Sequence, residues 1–172
     1  MKLYRFLFIG ALAFSALKLN AQVIRFEKDK LEPNQVSMSV EKLQGKEVIK
    51  VTKNKEIKEV DQPTFVKIKG TNFHNGTIEV SVLSRLLPDA DQLARGFIGL
   101  AFRINEDNSK FESIYIRPTN ARADDQVRRN HSIQYFSFPD YPFMRIRKET
   151  PEKYESYSDM ALNEWIKIKI TV

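Results

Sequence analysis

The seven residues TIEVSVL, Thr77 to Leu83, alternate without a break: Ile78, Val80 and Val82 fall on one side, Glu79 and Ser81 on the other. Successive β-strand side chains point to opposite faces, so such a stretch buries one face and wets the other. The pattern recurs along the chain. GFIGLAFR, Gly96 to Arg103, sets Ile98, Leu100 and Phe102 against Gly99, Ala101 and Arg103. WIKIKITV, Trp165 to Val172, sets Ile166, Ile168 and Ile170 against Lys167, Lys169 and Thr171. EVIKVTK (Glu47 to Lys53) and TFVKIKG (Thr64 to Gly70) behave alike. One-sided alternation is the mark of antiparallel sheet, and the chain reads as a single all-β domain, a sandwich.

Turn signals separate these stretches. Asn75-Gly76 predicts a tight turn, because both positions tolerate positive φ. NEDNSK, Asn105 to Lys110, predicts a polar hairpin loop between two strong strands. Pro139 and Pro142 bracket PDYP, which is thereby excluded from an interior strand. Helical turns are expected only in PEKYESYSDMAL (Pro151 to Leu162) and PDADQLA (Pro88 to Ala94).

At the N-terminus, Lys2 and Arg5 precede an uncharged apolar run from Phe6 to Leu17, and Asn20-Ala21-Gln22 places a small residue at a cleavage point. Residues 1–21 read as a secretory signal peptide, too short and too weakly flanked for a membrane anchor. The expected mature chain is then residues 22–172, exported to the periplasm or the extracellular space, with no membrane span. The formal charge of +6 falls to +3 without Lys2, Arg5 and Lys18, an ordinary mixed-sign surface rather than a nucleic-acid-binding one. With no cysteine, a disulfide framework, Cys-ligated zinc and thiol catalysis are excluded. A domain of about 150 residues has instead a core that hides roughly two-thirds of its unfolded surface.

FHNGTIEVSV, GFIGLAFR, FESIYIRPTN and NEWIKIKITV, between Phe73 and Val172, resemble segments of the concanavalin A-like jelly-roll domains of exported bacterial carbohydrate-associated proteins. Within these they look closest to the 3-keto-disaccharide hydrolase and laminin-G-like group, and the Asn20-Ala21-Gln22 ending is similar to those of Bacteroidetes-type exporters. The resemblance implies a jelly roll in which Trp165 introduces a late strand and fills the core. It also implies further strands after that one, so residues 22–172 are expected to lack the last strands. Laminarinase-type glucanases on this fold carry E-x-D-x-x-E on one strand, whereas TIEVSVLSR keeps Glu79 and has Ser81 at the next same-face position. A retaining mechanism needs two carboxyls roughly 5–5.5 Å apart, so two-carboxylate endoglucanase chemistry is not expected.

Candidate chemistry concentrates in SIYIRPTNARADDQVRRNHSIQYF, Ser113 to Phe136. With Ile114 and Ile116 inward, Tyr115 and Arg117 share the opposite face, which Arg103 joins if NEDNSK closes a hairpin. Phe111 and Glu112 fit that parity poorly and predict a bulge or a register change near the turn. Forked guanidinium donors beside aromatic rings suit a sugar; a solvated sheet face with cross-strand pairs explains the same residues. Arg–Asp pairs are expected to brace the polar loop, with Arg122 as a sugar contact and Glu79, Asp124 or Asp125 near His131 as candidate acid–base partners. Tyr135 and Tyr141 are candidates for a stacking platform, and Phe136 and Phe138 for a plug between sheets. NEDN offers oxygens that suit calcium but lacks EF-hand spacing, so no metal site or cofactor is assigned. Three readings remain open: a non-catalytic, lectin-like module binding a glycan or oligosaccharide, a glycoside-processing hydrolase, and a structural partner-binding module.

Overall fold

The computed structural model describes residues 22–172; the signal-peptide reading of residues 1–21 lies outside the described residues. Within these residues a 3-10 turn (Lys28–Lys30), ten strands and three short α-helices follow one another. The strands are β1 (Leu31–Asn34), β2 (Val36–Leu43), β3 (Lys46–Lys53), β4 (Phe65–Ile68), β5 (Thr77–Leu83), β6 (Ile98–Phe102), β7 (Phe111–Ile116), β8 (Ile133–Phe138), β9 (Glu155–Ser156) and β10 (Trp165–Thr171). The helices are α1 (Pro118–Ala121), α2 (Gln126–Asn130) and α3 (Phe143–Glu149). All pairings are antiparallel: β1 with β4, β2 with β3, β5 with β10, and a sheet in the order β6-β7-β8-β9. The protein is an all-β sandwich, as the alternation predicts.

One core lies between the β5–β10 pair and the β6–β9 sheet. Val82, Phe102, Ile116, Met160, Ile168 and Ile170 are buried there, with Ile78, Val80, Leu100, Ile114 and Ile133 packed against them. The β5–β10 register sets Val80 opposite Ile168 and Ile78 opposite Ile170, so the two alternations coincide across the ladder. The NEDNSK hairpin forms as expected, Asn105 N donating to Lys110 O over 3.0 Å. Gly99 faces Tyr115 across the β6–β7 ladder, and a Cβ there would lie 2.3 Å from Ile114 O and 2.5 Å from Tyr115 Cα. Only glycine permits this approach.

Several expectations are corrected. Strand β7 runs without a bulge, in continuous register with both neighbours, and Glu112 simply shares the face of Ile114 at its end. The opposite face is not a wet surface: Phe111 and Phe136 are buried on it against Ile146 of α3, joined by Phe65, Tyr115 and Phe138. The sheet therefore has an apolar layer on each side, because a helix and β4 cover the face that alternation alone leaves to water. The expected plug of Phe136 and Phe138 is part of this second core. Helix forms at Phe143–Glu149 after Pro142, and also at α1 and α2 within the supposed polar loop, whereas residues 88–94 form turns and residues 151–162 hold turns and β9. Trp165 is half-buried on the outer face, where its indole Nε1 donates to Gln44 Oε1 over 2.6 Å and Lys46 Nζ sits 4.4 Å above its ring.

Among the described residues no helix is long and apolar enough to cross a membrane.

Candidate functional site

Strand β7 ends at Ile116, and the next residue turns its guanidinium under α3. Arg117 is 5% exposed, and both of its terminal nitrogens are taken up by protein. Its Nη1 donates to Glu155 Oε1 (3.0 Å) and His131 O (2.9 Å), its Nη2 to Tyr115 Oη (2.8 Å) and Gln134 Oε1 (3.0 Å). Glu155, on the edge strand β9, is the hub. Its Oε1 also accepts from Arg147 Nη2 of α3 (3.1 Å) and lies 3.2 Å from His131 Nδ1. A buried guanidinium is tolerated only with a carboxylate and extensive hydrogen bonding, and here Glu155 and four hydrogen bonds from Nη1 and Nη2 supply both.

Aromatic rings interleave with the cations. The Arg117 guanidinium carbon lies 5.0 Å from the Tyr115 ring and 5.3 Å from Phe143, and that of Arg147 lies 4.4 Å from Phe143. Phe97 meets Tyr115 edge to face at 5.8 Å. The result is a ladder: Phe97, Tyr115, Arg117, Phe143, Arg147. Its ends reach solvent, Phe97 being 57% exposed and the Arg147 side chain 45%. Among the described residues, only the Nη2 of Arg147 is engaged by protein, so Nε and Nη1 are open donors. Phe97 is carried by the loop of residues 84–97, which Ser84 Oγ closes at its base through a 2.6 Å bond to Gly96 O.

His131, the residue capping the C-terminus of α2, is held on several sides. Its carbonyl accepts from Arg117 and from the buried Asn120 (3.1 Å), and Arg147 Nη2 stands 2.6 Å from its Nδ1. Arginine has only donors to offer, so Nδ1 is the acceptor and the ring proton sits on Nε2, a tautomer inferred from the contact. That Nε2 is sealed from solvent and has no partner among the described residues. Asp61 stands across the same corner, its carboxylate accepting the Phe143 amide. Burial pushes the Asp61 carboxyl up, against the Phe143 hydrogen bond and the Arg117 charge. Burial likewise pushes the Tyr115 hydroxyl up to about 12, and the Arg117 charge opposes that rise.

The structure separates several of the predicted residues. Arg103 lies at the far end of β6 with a positive φ of 52°, bonded to Glu112 Oε1 (2.7 Å), His74 O and Asn75 Oδ1, away from Arg117. Tyr115 and Arg117 do meet, but as buried partners rather than on an open face. Arg122 is exposed and paired with Asp159 (2.9 Å) and Glu164 (3.3 Å). The expected Arg–Asp braces of the loop do not form among the described residues. Instead Asp125 caps α2 through the Arg128 amide, and Arg129 donates to Ala123 O, Asp124 O and Gln126 Oε1. Glu79 is exposed on the outer face and paired with Lys169 (2.9 Å). The carboxylate beside His131 is thus Glu155, not Glu79, Asp124 or Asp125. Tyr135 donates to Glu112 Oε2 (3.0 Å), and burial with that bond pushes its hydroxyl up to about 12; Tyr141 bonds Thr150 (2.8 Å). Both rings pack on Tyr154.

The residues that sequence reasoning missed are Asp61, Phe97, Phe143, Arg147 and Glu155. A lone acid between aromatics in YESY, Tyr154 to Tyr157, is the one signal that marked Glu155. In the NEDNSK loop the Lys67 ammonium meets the loop oxygens, bonding Asn105 O (2.7 Å), Glu106 O (3.2 Å) and Asn108 Oδ1 (3.0 Å). No group of three or more metal-ligating side chains occurs among the described residues. Comparison with protein-family models, with curated proteins and with solved structures finds no match for this chain.

Proposed function

We propose that the chain is an exported, carbohydrate-associated module of the concanavalin A-like jelly-roll kind, and that it binds glycan along the aromatic–guanidinium ladder beneath α3. The observation that carries this reading is the pair of open ladder ends. Phe97 offers a ring for a pyranose C–H face, and Arg147 offers two unused forked donors for hydroxyls. Glu155, His131 and Phe143 fix the Arg147 guanidinium before any ligand arrives, which lowers the entropy cost of using it. In this reading Tyr115 and Arg117 are the buried supports of the site, and its contacts with sugar come from the residues at either end.

A broad glycan array tests it. The protein is expected to retain a glycan, with retention weakened by Phe97→Ala and by Arg147→Gln while circular dichroism stays unchanged. Absence of any retained glycan, or retention indifferent to both substitutions, overturns the reading.

The His131–Glu155 contact favours a second reading, a glycoside-processing hydrolase resembling the 3-keto-disaccharide hydrolases. A carboxylate beside an imidazole is a common acid–base arrangement. It requires that the ring proton move from Nε2 to Nδ1, facing Glu155, and that Nε2, now sealed, be uncovered when substrate binds. Turnover of a glycoside panel that is abolished by Glu155→Gln and by His131→Asn supports this reading, and an inert protein ends it.

A further inference from the structure

His131 meets charged groups from three other elements: Arg117 after β7, Arg147 on α3 and Glu155 on β9. Asp61 bears on the cluster through the Arg117 charge. The arginines of its own helix are bonded elsewhere, Arg128 to Asn120 Oδ1 and Arg129 to Ala123 O, Asp124 O and Gln126 Oε1. Since Nε2 already carries a proton, a second one goes to Nδ1, the atom that accepts from Arg147 Nη2 at 2.6 Å. Two donors cannot share that contact. The acceptor within reach of a new Nδ1–H is Glu155 Oε1, at 3.2 Å. That oxygen has two lone pairs and already serves Arg117 Nη1 (3.0 Å) and Arg147 Nη2 (3.1 Å), so one arginine gives way. Arg117 is 5% exposed and keeps its bonds to His131 O, Tyr115 and Gln134. The Arg147 side chain is 45% exposed and, among the described residues, is held by hydrogen bonds only at Nη2. Water takes up the donors of Arg147 but does not reach those of Arg117, and Arg147 is the one displaced.

We propose that His131 is a proton-operated latch on Arg147, and through it a regulator of the open end of the ladder. With Nδ1 bare, the imidazole and Glu155 hold the Arg147 guanidinium beside the Phe143 ring. With a proton from solvent on Nδ1, the imidazolium donates to Glu155 Oε1, both bonds of Arg147 Nη2 break, and the guanidinium turns to water. Imidazole is the side chain that ordinarily changes charge between about pH 5 and 8, so mild acid is the trigger. The consequence for glycan rests on the carbohydrate reading above: a guanidinium that must be ordered on binding costs more entropy, and retention falls in acid. The latch itself stands apart from that reading.

Nuclear magnetic resonance of the isotope-labelled protein, followed from about pH 8 down to about pH 5, tests the latch without any ligand. Long-range ring spectra of His131 are expected to show the Nε2–H tautomer at the upper end and both nitrogens protonated at the lower. Over the same midpoint, rotation about the Arg147 Cζ–Nη bonds is expected to quicken at least about tenfold, the equivalent of one lost charge-assisted hydrogen bond, while that of Arg117 stays slow. His131→Asn keeps a carbonyl to accept from Arg147 and takes up no proton, so its Arg147 is expected to be indifferent to pH in this range. The parent titration decides the case even where that variant folds poorly. An Arg147 that stays held while His131 titrates, release of Arg117 in its place, or a His131 that keeps a single ring proton throughout each overturns the proposal. The glycan array, repeated at both ends of the range, separates the two claims. Retention is expected to fall several-fold in acid for the parent and to hold for His131→Asn. No retained glycan at either pH overturns the carbohydrate reading and leaves the latch to the spectra, whereas equal retention with Arg147 released overturns the regulation of the site.

Discussion

Arg117 and Glu155 stand 38 residues apart in the chain and meet at 3.0 Å with side chains only 6% and 2% exposed. Glu155→Ala is expected to destabilise the protein by about 3–5 kcal/mol, because it leaves a guanidinium in the interior with no carboxylate. The midpoint of urea unfolding measures this. A loss within the scatter of ordinary surface substitutions shows that the pair contributes no such stabilisation.

Tyr115 and Tyr135, both pushed up to about 12, are expected to ionise last when tyrosinate formation is followed by ultraviolet absorbance. The folded values lie above the ordinary value of 10.0, so their contribution to stability is intact below that point. It is lost as pH rises from there through the folded values. In Tyr115→Phe one late transition disappears and the alkaline loss of stability shrinks. An unchanged titration curve contradicts the assignment.

The same sign holds, at a lower pH, for Asp61, a buried acid whose carboxyl is also pushed up. Its raised pKa means that stability is fullest below the ordinary carboxyl value and falls as pH climbs through the folded value. Asp61→Asn keeps an oxygen for the Phe143 amide and removes the charge. Thermal unfolding at neutral pH is expected to show the variant at least as stable as the parent, with the difference vanishing in acid. A neutral-pH loss greater than about 1 kcal/mol means that attraction to Arg117 outweighs burial.

Gly99→Ala drives a methyl group against the β7 backbone. The expected cost is about 1–3 kcal/mol, the usual range for overpacking, since backbone yields less readily than a side chain. Ala101→Gly, on the same strand, provides a control without a clash. A Gly99→Ala protein of parental stability shows that β6 and β7 part freely.

Lys67→Met removes the ammonium that binds three oxygens of the Asn105 to Lys110 loop. Amide exchange of that loop is expected to accelerate while β10 stays protected. Unchanged loop protection shows that the hairpin holds its shape without the lysine.

Alternation made most strands legible, and β5, β6 and β10 bury the residues that parity assigns. Its limit shows at Tyr115. A period of two says which residues share a face but not what covers that face, and Ser113 and Tyr115 look like solvent residues because they carry polar atoms. FESIYI and IQYFSF nevertheless hold large apolar groups on the supposedly wet side, Phe111, Phe136 and Phe138, which is the sequence trace of a second layer. Helix α3, which supplies the cover, buries only Ile146 and shows no extended apolar stripe. The candidate site was half visible for the same reason. Tyr115, Arg117 and His131 lie in a conspicuous stretch, while Asp61, Phe97, Arg147 and Glu155 join them through tertiary contacts that carry no local spacing.

The latch between Gln44, Lys46 and Trp165 ties the tip of the β2–β3 hairpin to the first residue of β10. Trp165 is the sole tryptophan of the chain, so the protein carries its own optical gauge. Its emission reports on whether that ribbon is seated, not on the state of the interior. A colour shift at constant ellipticity then records the hairpin lifting away, long before the two sheets part.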